Sequence, residues 1–369
     1  MNNLYLMFGD DGEIMAQTIL ARICPEKDIK ALAKSQPLIG IKPNLVVSQP
    51  AEWGATTSPA LVRGVIKYLN SKGFSNIIIL ESSWVGDSTE KAFKECGYQE
   101  ISEEFDVPLV DLKQDKSKRF EIDGAVIEVC EQALAVDYLI NMPVLKAHCQ
   151  TKLTCALKNL KGCVPDKEKR HFHALGLHHP IAYLNTILRS NLIIVDGIIG
   201  DLTYEGGGNP IKMNRVLAAK DPVLLDAYAA ELIGYAAEDI KYIGLAERMG
   251  VGSSDLHGVD IIQLNRNEDA PADEEILASE ETDYLRQWVK DENACSACYG
   301  TVIHALQRFK ELGKLEKLSD RLHIGQGFKN KQMKGIGVGT CTKGFSHNIK
   351  GCPPKAVDVL YFLKEQEKR

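Results

Sequence analysis

The sequence predicts an α/β protein: a mostly parallel, doubly wound sheet in Rossmann-like layers, followed by a small cysteine-rich C-terminal domain. Three observations lead there. Short β-branched apolar runs alternate with amphipathic stretches from residue 37 to about 264, as parallel strands and crossover helices do. Those apolar runs repeatedly end in ionisable or amide side chains. Four of the ten cysteines fall after residue 294, in a segment of different composition.

The strand candidates, in order, are PLIGI ending at Ile41, NIIIL (76–80), VPLVDL (107–112), DYLINMPVL (137–145), NLIIV (191–195) and VDIIQL (259–264). Helix signals lie between them. In TTSPALVRGVIKYLNSKG, Thr57 or Ser58 can cap and Pro59 fits the first turn. Leu61, Val62, Val65, Ile66 and Leu69 then form one apolar face that ends before Gly73. These elements define a first domain over residues 1–264. The acidic stretch 265–283, NRNEDAPADEEILASEETD without aromatics other than the tyrosine that follows, reads as a solvated connector. Residues 284–369 form the second unit. It opens with the helical pattern YLRQWVKDENACSACYGTVIHALQRFKEL, continues through a glycine-rich loop, KGIGVGTCTKGFSHNIKGCPP (334–354), and closes with a helix at KAVDVLYFLKEQEKR.

Composition excludes several classes. With 44% hydrophobic and 25% charged residues the chain can build a sizeable core. Acidic residues outnumber basic ones 50 to 44, so no global field favours nucleic acid or an anionic membrane. The N-terminus lacks a basic region leading into an apolar run, and no stretch approaches about eighteen uninterrupted apolar residues. A cytoplasmic protein is expected. No G-x4-G-K-[ST] loop, and no G-x-G-x-x-G after a strand, points to a standard nucleotide site.

In a reducing compartment, ten cysteines call for a role other than disulfides. Cys24, Cys96 and Cys130 sit alone in apolar or helical surroundings and read as buried thiols. Cys295 and Cys298, then Cys341 after 42 intervening residues, then Cys352 after ten more, form a spaced quartet. A C-x2-C pair on the first turn of a helix directs both sulfurs to one point. Cys341 follows GIGVGT, whose backbone amides can approach cluster sulfides, and Cys352 precedes Pro-Pro and a helix start. These features predict a [4Fe–4S] cluster. Zinc is the alternative, although structural zinc sites usually present a second close cysteine pair. The string IKGCPPKAVDVL resembles the GCPP segment that supplies a cluster ligand in the small subunits of respiratory complex I and nickel–iron hydrogenases. Lys334, Lys343 and Lys350 either offset cluster charge or form a solvated basic surface.

The other chemistry-rich segment is 141–179, which carries Lys146, His148, Lys158, Asn159 and Lys161 behind a buried strand. With the strand-end residues Lys42, Asn44, Glu81 and Asp196, it should converge at the carboxyl edge of the sheet, where open parallel sheets bind ligands. Lys146, His148 and Asp196 are the candidate catalytic groups, with His148 able to move a proton near neutral pH. Lys42, Asn44, Glu81, Lys158, Asn159, Glu205 and Gly206 are candidate ligand contacts. Gly206–Gly208 read as an anion nest or lid. Bland readings stand beside these: Lys158, Asn159 and Lys161 as packing and solvent contacts, and Asp196 as a strand-end turn or lysine partner.

His171, His173, His178 and His179 read as an exposed loop, with metal binding the alternative. Cys149, Cys155 and Cys163 lack an evident fourth partner for a second cluster.

IKPNLV (41–46), PVLKAHCQTKLTCALKNLKGCVPDKEK (143–169), IIVDGIIGDLTYEGGGNP (193–210) and AAKDPVLLDAYAAELIG (218–234) together resemble the DUF362 family. The likeness covers roughly residues 37–264, and members commonly carry an iron–sulfur module beside this domain. The late cysteines depart from the tight C-x2-C-x2-C-x3-C-P ferredoxin run. The expectation is therefore an iron–sulfur redox enzyme acting on a small anionic substrate, with an unidentified redox partner protein. A non-catalytic electron carrier or redox sensor, and a zinc-stabilised transferase or ligase, are the alternatives.

Overall fold

The computed structural model describes residues 3–265 and 284–366, so most of the expected acidic connector lies outside the described residues. The chain begins with β1 (Asn3–Phe8), α1 (Gly12–Ile23) and α2 (Glu26–Ala31). Asp11 caps α1 by accepting the Ile14 amide. Then come β2 (Ile39–Pro43), α3 (Pro59–Ser71), β3 (Ile77–Glu81), α4 (Thr89–Glu95), α5 (Tyr98–Phe105) and β4 (Leu109–Asp111). A hairpin of β5 (Ser117–Ile122) and β6 (Ala125–Cys130) leads through α6 (Glu131–Leu134) to β7 (Tyr138–Met142). A second small hairpin, β8 (Lys146–His148) with β9 (Lys152–Thr154), precedes α7 (Ala156–Asn159), α8 (Asp166–Leu175) and α9 (His178–Ile187). The long antiparallel pair β10 (Leu192–Asp201) and β11 (Pro210–Ala219), then α10 (Pro222–Leu232), α11 (Lys241–Arg248) and β12 (Asp260–Gln263), complete the first unit.

Eight strands form one sheet in the order β12-β1-β11-β10-β7-β2-β3-β4. Only β11 runs against the rest, so the sheet is mostly parallel as expected. Every residue of β2 and β7 is buried, Lys42 and Asn141 included, as befits central strands of a sheet covered on both faces. Alternate side chains feed two apolar clusters. Ile193 and Val195 join one, with Leu157, Leu184 and Leu225, while Leu192 and Ile194 join the other, with Leu61, Val65 and Ile101. Each buried Leu, Ile or Val contributes about 1.5–3 kcal/mol relative to leaving it exposed.

The chain leaves β2 toward β3 and β4, then returns to the opposite side of β2 to lay down β7 and β10. That reversal opens a crevice above the carboxyl ends of β2 and β7. Thr57 ties this edge together: its hydroxyl accepts the Asn44 amide at 2.8 Å and donates to the Met142 carbonyl at 2.7 Å.

Residues 284–366 form a second, wholly parallel sheet of β13 (Val289–Asp291), β14 (Leu322–Ile324), β15 (Met333–Val338) and β16 (Phe345–Ile349), in that order. Helices α12 (Ser296–Glu311) and α13 (Ala356–Gln366) cover it. Two sequence expectations are corrected here. The helical pattern expected from Tyr284 is interrupted by β13, and the helix begins only after Cys295, which stands in an extended conformation as N-cap. The glycine-rich loop consists largely of β15 and β16, because Ile336, Val338, Phe345 and Ile349 alternate inward between the glycines.

The second unit docks on the first through Arg286, which donates to the Cys149 carbonyl, and through Gln150, which donates to the Ala294 carbonyl at 3.0 Å. Cys149 itself packs into the apolar cluster of the second unit.

Candidate functional site

A cavity of about 360 Å3 lies where the crevice of the large sheet meets the second unit. From the large unit it is lined by Asn44, Glu81, Lys146, His148, Lys158 and Asn159, together with Glu205. From the second unit come Cys295, Cys341 and Cys352. Two groups of side chains that the sequence treats separately thus share one space.

Each lysine is placed by the edge of the sheet. Lys146 opens β8 just beyond β7, and its ammonium group donates to Asn44 Oδ1 at 3.3 Å and to the Ala55 carbonyl. Lys158 bonds Thr154 Oγ1 at 2.9 Å. Lys161 lies 3.0 Å from His173 Nε2. Burial penalises the charged form of all three and pushes each pKa down to about 7, with Glu205 opposing the shift. Lys158 acts further on Lys161, and Lys146 on Lys158, as like charges. Lys169 is brought down to about 8 by burial, although Asp166 at 3.3 Å and the Ser82 and Ser83 carbonyls surround it.

Asn159 braces the junction beneath the cavity. Its Nδ2 donates to the Lys42 carbonyl at 3.2 Å and to Asn141 Oδ1 at 2.8 Å, while Asn141 donates to the Ala156 carbonyl at 2.9 Å. The start of α7 is held by Asp226, which accepts the Ala156 and Leu157 amides at 2.7 and 3.2 Å.

Several expected ligand contacts turn out otherwise. Lys42 is fully buried beneath the cavity rather than lining it, donating to Glu81 at 2.8 Å and to the Pro43 carbonyl at 2.6 Å. Glu81 also accepts the Leu45 and Ser82 amides, so although one edge reaches the cavity it is committed to the fold. A Cβ on Gly162 would lie 2.1 Å from Glu81 Oε1 and 2.7 Å from Lys42 Nζ, so only glycine fits there. Asp196 does not line the cavity; it accepts the Ser58 amide at 2.7 Å and the Ile198 amide at 3.1 Å, securing the start of α3. Burial raises its pKa to about 6.

Gly206 is also outside the cavity lining, and the anion nest is already spent. Asp201 accepts the amides of Thr203, Tyr204 and Asn209 within 2.9 Å, while Gly207 and Gly208 donate to the Tyr204 and Trp53 carbonyls.

His148 does not titrate near neutrality. Its Nδ1 accepts the Gln150 and Thr151 amides at 3.0 and 3.1 Å, which assigns the proton of the neutral ring to Nε2, 3.6 Å from Glu205 Oε1. Burial, then Lys158 and Lys161, hold its pKa well below the ordinary value. His148, Cys149 and Glu205 bring ligand atoms within 4.8 Å of one another and could hold a metal ion. The arrangement weighs against it, because a ligating histidine normally donates from its second nitrogen, and here that nitrogen accepts.

The histidines at 171–179 are helical, on α8 and α9, rather than in a loop. Two residues apart on a helix, His171 and His173 point to different sides and cannot chelate together. His171 meets Glu168 at 3.1 Å, whereas His173 is buried and lines the cavity. Cys155 and Cys163 sit in the core of the large unit and Cys149 in that of the second, so these three do not converge.

The late quartet does converge. Cys295 is the N-cap of α12 and Cys298 its third residue, and each thiol is the largest influence on the other's titration. In the β15–β16 ladder Val338 pairs with Ile349, and just beyond it the Thr340 amide donates to the Gly351 carbonyl at 2.8 Å, which brings together the segments that carry Cys341 and Cys352. Gly339, with φ of +94°, lets the strand end pass within 3.3 Å of Cys298 Sγ, measured from where a Cβ would stand. Cys298 is pushed up first by Cys295 and by burial, then by the charges of Cys352 and Cys341. All four are free thiols. Sequence reasoning missed His173, Lys169 and Lys329 as cavity residues. The first two belong to the basic segment already noted, and nothing local marked Lys329.

The fold and site together define an α/β protein with a mostly parallel sheet, a lysine-rich crevice at its switch point and a cysteine quartet at the crevice mouth. The chain belongs to the DUF362 family, a domain of unknown function, whose model matches residues 39–231. A thylakoid-associated protein from Synechocystis is 24% identical over 221 residues, covering 57% of this chain and 67% of that protein. Among solved structures, the lactate racemase apoprotein from Thermoanaerobacterium thermosaccharolyticum is similar with a TM-score of 0.41 and 13% identity. A Thermotoga maritima protein gives 0.38 and 13%. These likenesses cover 62% and 65% of this chain but only 57% and 60% of the other two, and at such TM-scores neither bears on function. Among the described residues no helix is long and apolar enough to cross a membrane.

Proposed function

We propose that the protein is an iron–sulfur redox enzyme, with Cys295, Cys298, Cys341 and Cys352 holding a [4Fe–4S] cluster against a cavity that takes a small anionic substrate. The observation that carries this reading is the shared cavity: Cys295, Cys341 and Cys352 line the same space as Lys146, His148 and Lys158. The donor set fits the group. Four thiols and no imidazole or carboxylate in the quartet suit iron–sulfur or zinc, and structural zinc sites are closed, whereas three of these cysteines border a cavity. When bound, such a cluster supplies single electrons at the cavity wall.

The chain's own groups do the rest. Lys146, Lys158 and Lys161 attract and orient an anion. Their lowered pKa values keep a proton available near pH 7, a role that sequence reasoning gave to His148. The Cys149 amide and thiol donate to Glu205 at 3.3 and 3.1 Å and hold it in place, with neutral His148 3.6 Å away. Asn44 fixes Lys146. Trp84, Val85 and Pro353 add apolar surface to the cavity wall.

The test is electron paramagnetic resonance of anaerobically purified, dithionite-reduced protein, with and without small carboxylates and phosphate. A signal that shifts with an anion, and disappears faster as that anion is reduced, supports the enzyme. A signal indifferent to every anion, yet discharged rapidly by a one-electron dye, assigns the protein as a carrier instead.

A further inference from the structure

Charge is unevenly distributed in the second unit. From Arg321 to Val357 the chain carries seven basic residues and no acidic one, although the protein as a whole has a net charge of −6. Two of the seven have acidic neighbours: Lys331 pairs with Glu292 at 2.8 Å, and Asp320 lies against Gly335, next to Lys334. Lys329, Lys343, Lys350 and Lys355 are exposed and form no ion pair among the described residues. Lys343 and Lys350 each stand two residues from a quartet cysteine and Lys355 three, while Lys329 borders the cavity together with exposed Arg170 of the large unit.

Cys352 lies within this basic stretch. Alone among the ten cysteines it is exposed, yet it also lines the cavity. The cations that act most on the other thiols are Lys161 on Cys295 and Lys329 on Cys341; Lys343, Lys350 and Lys355 belong to neither set. Their charge is directed at solvent. Roughly two net negative charges on a thiolate-ligated [4Fe–4S] group leave this rim positive. The helix after Cys352 adds apolar surface, since Val357 and Tyr361, one turn apart on α13, are 48% and 64% exposed.

We propose that this face docks an acidic one-electron carrier protein at Cys352, a reading that rests on the iron–sulfur assignment of the quartet. One electron leaves the reduced carrier, which is oxidised, and enters the group held by the quartet, which is reduced; no bond or proton moves. Lysines set around an exposed point steer an acidic partner and raise its association rate by about 10–1000-fold at low salt. Val357 and Tyr361 supply apolar contact beside the charged rim. An anionic membrane would meet the same lysines but gains nothing from their placement near the exposed cysteine.

Isothermal calorimetry on the full chain, purified without oxygen, tests this with two acidic carriers, a plant-type [2Fe–2S] ferredoxin and a flavodoxin, and with basic cytochrome c as the control, all oxidised. The expected result is that at least one acidic carrier binds at about 20 mM salt, loses at least about tenfold in affinity by about 300 mM, and is not matched by cytochrome c. Lys343→Glu combined with Lys350→Glu lowers that affinity at least about tenfold and slows electron transfer from the reduced carrier in stopped flow; Lys343→Arg with Lys350→Arg retains both. Reduction by photoreduced deazaflavin, which is too small to need the rim, stays unchanged in both variants, and their iron content matches the wild type. Sedimentation with phosphatidylglycerol vesicles provides the rival outcome: vesicle binding that the glutamate variant loses, with neither carrier bound, overturns the proposal in favour of a membrane surface. Iron-loaded protein that binds neither carrier, or binds one regardless of salt and charge reversal, overturns it as well and leaves the iron–sulfur reading standing. Wild-type protein without iron overturns both.

Discussion

Lys158 shows how a single residue can cost the fold and serve the site. Its pKa falls from an unfolded value of about 10.4 to about 7, so folding expels a proton between those pH values. The sign follows: a cation disfavoured by burial destabilises the fold fully below pH 7, and the penalty fades as pH rises toward 10. Lys158→Met should therefore raise stability at pH 6.5 by about 1–4 kcal/mol, by analogy with other buried charges replaced by apolar groups. The gain should shrink at pH 9. Urea titrations at the two pH values measure it, and equal gains at both would contradict the assignment. Gly162 makes the opposite case. Alanine there meets the Lys42–Glu81 pair, and Gly162→Ala should destabilise by about 1–3 kcal/mol, readable in the same titration. Neither Lys42's burial nor Gly162's close approach can be read locally, because both depend on where β3 lies relative to the turn after α7.

At the level of elements, the β15–β16 register makes a specific claim. Cys341 and Cys352 follow the ends of neighbouring parallel strands, where the Thr340 amide donates to the Gly351 carbonyl, so they should act as one pair of ligands, with Cys295 and Cys298 as the other pair. Serine at any one of the four should remove most of the visible absorbance of the anaerobic protein. Cys163→Ser, in the core of the large unit, should leave it intact. Equal loss from Cys163→Ser would mean that folding, not ligation, controls the colour. Strands β2, β3, β4, β7, β10 and β12 were legible because long β-branched runs stand between clear helix signals. Strands β1 and β11 were not: NLYLMF and PIKMNRVLAA mix polar residues into runs that gain their strand character only by pairing with each other. The glycine-rich stretch hid two strands for a related reason. Glycine lowers strand propensity, and only the stacked register with β14 reveals the inward alternation.

On the scale of the whole molecule, function depends on two units sharing one cavity. The candidate residues could be named from either unit alone, since strand ends and cysteine spacing are local signals. Their meeting could not, because it rests on contacts such as Arg286 to the Cys149 carbonyl and Ser296 to Gln150 at 2.9 Å, which link positions more than a hundred residues apart. Arg286→Ala should loosen the dock while leaving both units folded. The expected sign is faster amide hydrogen exchange at Gln150 and Ala294, with little change in circular dichroism. Unchanged exchange there would show that other contacts suffice.

The central claim is that the four late cysteines hold an iron–sulfur cluster beside the lysine-rich crevice, and iron and acid-labile sulfide in protein purified without oxygen test it most directly. The account predicts about four of each per chain, with both falling away in Cys295→Ser. Protein that carries zinc, or no metal, in wild-type form under those conditions would contradict it.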